Sequence, residues 1–281
     1  MTVNYKGKKV ALLTKHRKEK IISPVLENAL GCKIELVQSF DTDELGTFDR
    51  TVDRQGTQLE TVRRKAHIGI DFSSNTIGVA SEGSFVPDPY SGFMPWNIEM
   101  VIFIDDLHGL EVVGIAQGSA MSMHAYIRDI DSLLQFAQDA GFPEHHLMLR
   151  PSDEADPRVI KGIHDLDSLK TAFIHAQQQS PNGKVFVEND LRAFANPTRQ
   201  HMIAQATEDL VRKLLSNCPQ CGMPGYWKTK TETGLPCAEC GAPTHLPVCE
   251  IWQCKQCHHE SHQALAHKEP ADPGHCLVCN P

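Results

Sequence analysis

The sequence predicts an α/β fold, a mixed sheet flanked by helices, followed by a small cysteine-rich module. Short apolar runs of strand character alternate with longer segments of helical spacing over most of residues 1–216, the pattern of strands and helices layered around a sheet. Nine of the ten cysteines fall after residue 217. The composition shifts at the same place to Pro, Gly, Cys and His, which sets a boundary near Ser216-Asn217. Residues 1–216 are therefore expected to form the α/β domain and 217–281 the module.

The elements follow in order. "KKVALLT" reads as a short buried strand. Residues 17–29 carry apolar positions at helical spacing, with Pro24 unfavourably placed near the first turns. "KIELVQSF" is a strand. Thr57 with Glu60 three residues on is a capping-box signature, so 57–70 is a helix. "TIGVAS", "EMVIFID" and "EVVGIAQG" are strand-like. Residues 122–140 read as a helix, "HLMLRP" as a strand, 166–179 as a helix, "KVFVEN" as a strand and 198–215 as a helix.

The module contains four Cys-x-x-Cys pairs: Cys218/Cys221, Cys237/Cys240, Cys254/Cys257 and Cys276/Cys279. Such a turn aims two thiolates at one point, and two turns complete a tetrahedral zinc site. Gly222 and Gly241 follow the first two pairs, where the turn wants a permissive backbone. Two structural zinc ions are expected. Sequential pairing, the first pair with the second and the third with the fourth, is the simplest connectivity; a cross-brace joining pairs one and three also fits the spacing. Cys249 is left over, as a buried thiol or a spare ligand, and His258, His259, His262, His267 and His275 are substitute ligands or solvent-facing. A catalytic zinc keeps an open position, which complete four-cysteine sets do not. Four thiolates around a zinc leave a net negative charge, and Lys228, Lys230, Lys255 and Lys268 face six acids. The module is thus a poor phosphate binder and suits scaffolding or contact with a protein or nucleic acid. Trp227 and Trp252 are large for so small a unit, so they either cover a zinc knuckle or pack against the body or a partner.

Composition narrows the rest. Of 281 residues, 41% are hydrophobic and 22% charged, and the net charge is −8, which does not favour nucleic acid overall. No stretch reaches the ~18 apolar residues of a membrane span. The start has only a four-residue apolar run, too short for a signal peptide, so no membrane association is expected and the cytoplasm is the expected compartment.

Chemistry is expected at strand ends. "LLTKHRKEK" runs a strand into Thr14, Lys15, His16, Arg17 and Lys18 and then a helix. Free N–H groups, a favourable dipole and basic side chains there make a phosphate-shaped site. Asp41, Asp43 and Glu44 follow another strand; Glu82 precedes Gly83 at a third; Asp105 and Asp106 end a fourth. Hard oxygen ligands so placed could hold magnesium opposite phosphates. The expected mechanism has Thr14, Lys15 and Lys18 holding phosphates, Arg64 and Lys65 lining their path, and Glu82 and Asp105 as catalytic magnesium ligands. Asp190, Arg192, Asn196 and Arg199 add polar groups before the last helix.

"TKHRKEKIISPVLE", "DTDELGTFDR", "SEGSF", "NPTR", "GLPCAECGAPT" and "ADPGHCLVCNP" resemble an uncharacterised bacterial family, a domain of unknown function. That likeness covers nearly the whole chain and carries no activity. The first 118 residues or so also resemble the inosine/xanthosine triphosphate pyrophosphatases and Maf-like proteins. Thr14 and Lys18 match their phosphate loop, Arg64, Lys65 and Ala66 their helix end, and Glu82-Gly83 their acidic turn. His16 stands where that family usually has Asn, and the cysteine-rich module has no counterpart there. The resemblance implies hydrolysis, or at least binding, of a nucleotide-like phosphate substrate with magnesium. The alternative is a non-enzymatic zinc-binding adaptor.

Overall fold

The computed structural model describes residues 3–47, 51–266 and 269–281; His267, Lys268 and part of the "DTDELGTFDR" motif lie outside them. The chain forms two compact units, Tyr5–Val211 and one built on Arg212–Pro281.

The first unit opens with β1 (Lys9–Leu13), α1 (Glu19–Leu30), β2 (Lys33–Val37), α2 (Gln58–Asp71), β3 (Ile77–Pro87), β4 (Pro95–Asp105) and β5 (Leu110–Ser119). These strands form one sheet in the order β2-β1-β3-β4-β5. β1 runs parallel to β2 and β3, while β3, β4 and β5 are antiparallel. Four of the five β1 residues are buried, as a central strand covered on both faces requires. Thr57 and Glu60 make the expected reciprocal capping box at the start of α2, a device worth about 1 kcal/mol. Pro24 lies inside α1 and does not end it.

Alternation along the strands assigns the two faces. Ala80 of β3 packs with Val62 and Ala66 of α2 and with Ile102 and Ile104 of β4. On the other face lies α5 (Pro197–Leu215). It comes so close to β5 that a Cβ on Gly114 would sit 2.1 Å from the Ala206 carbonyl oxygen. Only glycine permits that approach.

Between these parts run β6 (His124–Ile127), α3 (Ile130–Asp139), β7 (Leu147–Arg150), β8 (Ile160–Ile163), α4 (Leu166–Gln179) and β9 (Val185–Asn189). They build a second, antiparallel sheet, β6-β9-β7-β8, over a core that includes Leu133, Leu149, Phe173 and Val187. The helix expected over 122–140 is thus a strand followed by a helix. Asp129 breaks the run by accepting a hydrogen bond from the Ser132 N–H, which starts α3 afresh. α4 occupies the expected residues 166–179.

The second unit carries β10 (Trp227–Thr233), β11 (Pro247–Gln253) and β12 (Glu260–Ala264), an antiparallel meander. Among the described residues no helix is long and apolar enough to cross a membrane.

Candidate functional site

In the first unit the chain leaves β1 through α1 to reach β2 on one side, then returns through α2 to β3 on the other. The carboxyl end of β1 and the point on β3 where its pairing with β1 stops therefore flank a topological switch point, where open α/β sheets place their ligand crevice. A cleft lies there, lined by Thr14, Lys15, Lys18, Asp43, Lys65, Ser81 and Glu82, together with Lys161, Arg192 and Arg199 from the second half of the unit. Since Leu13 is paired with Ala80, the residues just past β1 share a level with Ser81 and Glu82, which lie midway along β3: the strand end expected at Glu82 is absent, because β3 continues to Pro87 against β4.

The loop from β1 to α1 is strained. His16 and Arg17 hold positive φ of 65° and 62°, which costs a non-glycine residue about 1–2 kcal/mol. Interactions on both sides hold it: His16 Nε2 lies 3.2 Å from Asp43, and the His16 ring and Arg17 guanidinium both pack near Phe194. Burial lowers the His16 pKa to about 4 despite Asp43, so the ring is neutral near pH 7. Lys18 begins α1, and no side chain caps that helix.

The charges sort into pairs with one exception. Lys65 donates to Glu82 at 2.5 Å, and Arg54 lies 3.2 Å from the other Glu82 oxygen. Burial pushes the Glu82 carboxyl up, but Lys65, Lys18 and Arg54 outweigh it and hold it below the usual value. Arg199 donates to Glu99 at 2.5 Å, both side chains fully enclosed. Lys15 bridges Asp41 and Asp43 at 2.7 and 2.6 Å. The exception is Lys18: 6% exposed, lining the cleft, with no hydrogen bond or ion pair to its ammonium among the described residues. Burial, then the Arg199 charge, lowers its pKa to about 7, against the pull of Glu99 and Glu82. Ser81 Oγ, also in the cleft lining, is buried without a hydrogen-bond partner among the described residues.

Two expected site residues are elsewhere. Asp105 pairs with Ile77 at the start of β3, whereas Glu82, midway along it, pairs with Met100. Five residues of strand separate the two levels, roughly 17 Å. The expectation took the ends of these strands to share an edge, which holds for parallel neighbours; β4 is antiparallel, so its end points away. Asp105 instead accepts from the Leu107 and His108 N–H groups of the β4–β5 turn and pairs with the His108 ring. Arg64 is exposed and lines a separate depression with Phe40 and Glu44. Sequence reasoning missed Ser81, Glu99 and Lys161. Glu99 sits mid-strand in β4 and reaches the region only because Arg199 of α5 meets it above Gly83.

The second unit brings its cysteines together as Cys218, Cys221, Cys254 and Cys257 in one cluster and Cys237, Cys240, Cys276 and Cys279 in another. This corrects the sequential pairing: pair one joins pair three, and pair two joins pair four. The reason is the meander, since β11 and β12 lie between pairs two and four and β10 between pairs one and two. The antiparallel return of β11 along β10 brings Gln253, next to Cys254, beside Trp227. Sulfur separations of 3.6–3.9 Å link the two pairs in each cluster. Zn–S bonds of about 2.3 Å at tetrahedral angles put sulfurs about 3.8 Å apart, far beyond a disulfide's roughly 2.05 Å. Each cluster thus fits a zinc ion.

The knuckles share one hydrogen-bond pattern: Gly222, Gly241, His258 and Asn280 N–H groups donate to the carbonyls of Cys218, Cys237, Cys254 and Cys276. His258 takes the left-handed φ that Gly222 and Gly241 take in the first two. Backbone N–H groups of Cys279 and Val278 help lower the Cys276 pKa to about 7, favouring the thiolate a metal needs. Tyr226 and Trp252 pack against the first cluster, and Trp227 lies 4.9 Å from Trp252 between ring centres.

Residues 65–281 match the protein-family model described as a domain of unknown function, DUF6671. The chain belongs to that family. No curated protein and no solved structure matches the chain.

Proposed function

We propose that the Tyr5–Val211 unit binds a phosphate-bearing, nucleotide-like small molecule in the crevice between β1 and β3, while two zinc ions hold the cysteine-rich unit together. The observation that carries this reading is Lys18: a buried amine at an uncapped helix start, lining a cleft, with no direct hydrogen bond or ion pair among the described residues. An unpaired buried charge is costly, and a bound phosphate oxygen would relieve that cost. Ser81 Oγ offers a donor in the lining of the same cleft, and the helix dipole favours the same charge.

Hydrolysis is the enzymatic form of this reading. Magnesium bound by Glu82 would have to displace Lys65 and Arg54, which hold its two oxygens. Asp43, also in the cleft wall, is held by Lys15 and His16, so a cation there would likewise have to displace its present partners. Titration calorimetry with inorganic phosphate, pyrophosphate and nucleoside triphosphates, with and without magnesium, tests the reading, with phosphate release followed in parallel. Saturable binding weakened by Lys18→Ala supports it, and release dependent on magnesium extends it to hydrolysis. No binding across the panel overturns it.

The adaptor reading draws on a different feature. Leu277 and Val278 project, mostly exposed, from the fourth knuckle, an apolar tip suited to contact with a macromolecule. It is the reading that stands when the cleft binds nothing.

A further inference from the structure

Beyond the two closed clusters, we propose that Glu232, Cys249 and His262 form a third, open site for a zinc-class divalent cation. Their ligand atoms all lie within 4.8 Å of one another. The register explains how three strands deliver them. Glu232 of β10 stands opposite Cys249 of β11, which stands opposite Ala264 of β12. His262 is two residues from Ala264, so alternation puts all three side chains on one face of the meander. The pairing slips immediately beyond Glu232, from Glu232–Cys249 to Thr233–Pro247. Such a bulge re-aims side chains and recurs beside functional sites.

A second observation concerns the imidazole. His262 Nδ1 lies 3.6 Å from Glu232, while Nε2 lies 3.2 Å from Glu260. A carboxylate on the far nitrogen fixes the tautomer and turns the near nitrogen toward the cluster, as metal-binding histidines are oriented. The neighbouring Glu250 is engaged by Lys228 and by the Trp252 indole N–H. A surface ion pair between His262 and its two glutamates accounts for the carboxylates but not for a cysteine on the same face.

One thiolate, one imidazole and one carboxylate make a borderline donor set that suits zinc or cobalt rather than magnesium or calcium. Three protein ligands leave a position for water or an added ligand, which four thiolates do not. Glu232 and His262 are about half exposed, at 49% and 52%, so the ion exchanges with solvent more readily than those of the clusters.

The test uses the full chain carrying two zinc ions by elemental analysis, titrated with cobalt(II) alone and read by native mass spectrometry and absorption. One further equivalent, with thiolate-to-cobalt charge transfer and both zinc ions retained, is expected. Cys249→Ser should abolish the charge-transfer band, and Glu260→Gln should weaken binding about tenfold, both variants keeping two zinc ions. The proposal is overturned by no equivalent beyond two, by cobalt displacing zinc instead of adding to it, or by a third equivalent with unchanged affinity in Cys249→Ser and His262→Ala.

Discussion

The ammonium of Lys65 on α2 lies 2.5 Å from a carboxylate oxygen of Glu82 on β3, with both side chains at least nine-tenths buried. The two belong to different elements, so the pair ties the helix to the sheet at the edge of the cleft. Glu82→Gln keeps the shape but leaves Lys65 and Arg54 without their shared counter-charge. A loss of about 3–5 kcal/mol is expected, since removing one partner strands a buried charge. Denaturant unfolding followed by far-UV circular dichroism measures it, and adding Lys65→Met should recover part of the loss. Equal stability of wild type and Glu82→Gln would mean that the pair is solvated.

Lys18 gives the unit a pH dependence of definite sign. Its pKa falls from the ordinary 10.5 to about 7 on folding, so between those values the unfolded chain binds more protons. Stability from this group therefore rises as pH increases from about 7 to about 10.5. Lys18→Met should flatten that rise and be more stable than wild type at neutral pH. A bound anion would draw the pKa back up, so phosphate binding should take up protons near neutrality and weaken above it. Calorimetry in buffers of different ionisation enthalpy reads the proton uptake directly.

Gly83 sits where the buried Arg199–Glu99 pair crosses β3. A Cβ there would meet Arg199 Nη2 and Glu99 Oε1, each at 2.4 Å. Gly83→Ala must displace a fully enclosed ion pair, and a loss of about 1–3 kcal/mol is expected from overpacking. Thermal melts of the two proteins decide it; an unchanged midpoint would show that the pair can shift without cost.

Cys237→Ser removes a ligand from the cluster that includes Cys276 and Cys279, not from the one that includes Cys218. Elemental analysis should find the zinc content fall from two ions to about one. The remaining ion should stay with Cys218, Cys221, Cys254 and Cys257, backed by Tyr226 and Trp252. Chelation of both ions should unfold the cysteine-rich unit, because small metal-bound units draw their folding energy from the metal. The Tyr5–Val211 unit has its own apolar core and should keep its circular dichroism.

Local chemistry made much of the fold legible. The capping box at Thr57, the apolar run of β1 and the helical spacing over 166–179 each act through neighbours in sequence, and each element formed where its pattern stood. Strand direction is a different matter. Nothing in "EMVIFIDD" says that β4 runs against β3, and that direction is what turns Asp105 away from the crevice. Cys-x-x-Cys spacing likewise defines each dithiol turn but not its mate, which the path of the meander decides. The cleft itself is half visible: Thr14, Lys15 and Lys18 announce themselves where β1 gives way to α1, whereas Lys65 and Glu82 reach the cleft from the middle of α2 and of β3. Glu99 and Ser81 lie within strand patterns and are marked out only by what packs over them.

The interleaving of the cysteine pairs also sets an order of assembly. Contacts between the two pairs of each cluster span 33 to 42 positions of sequence, so neither cluster can close on a neighbouring stretch. Under sequential pairing, a chain synthesised through Cys240 would already hold one finished site. With pair one waiting for Cys257 and pair two for Cys279, a chain halted or cut between Cys240 and Cys254 offers only two separate dithiols. Metal retention in the first cluster therefore requires the chain through Cys257, and in the second the chain through Cys279.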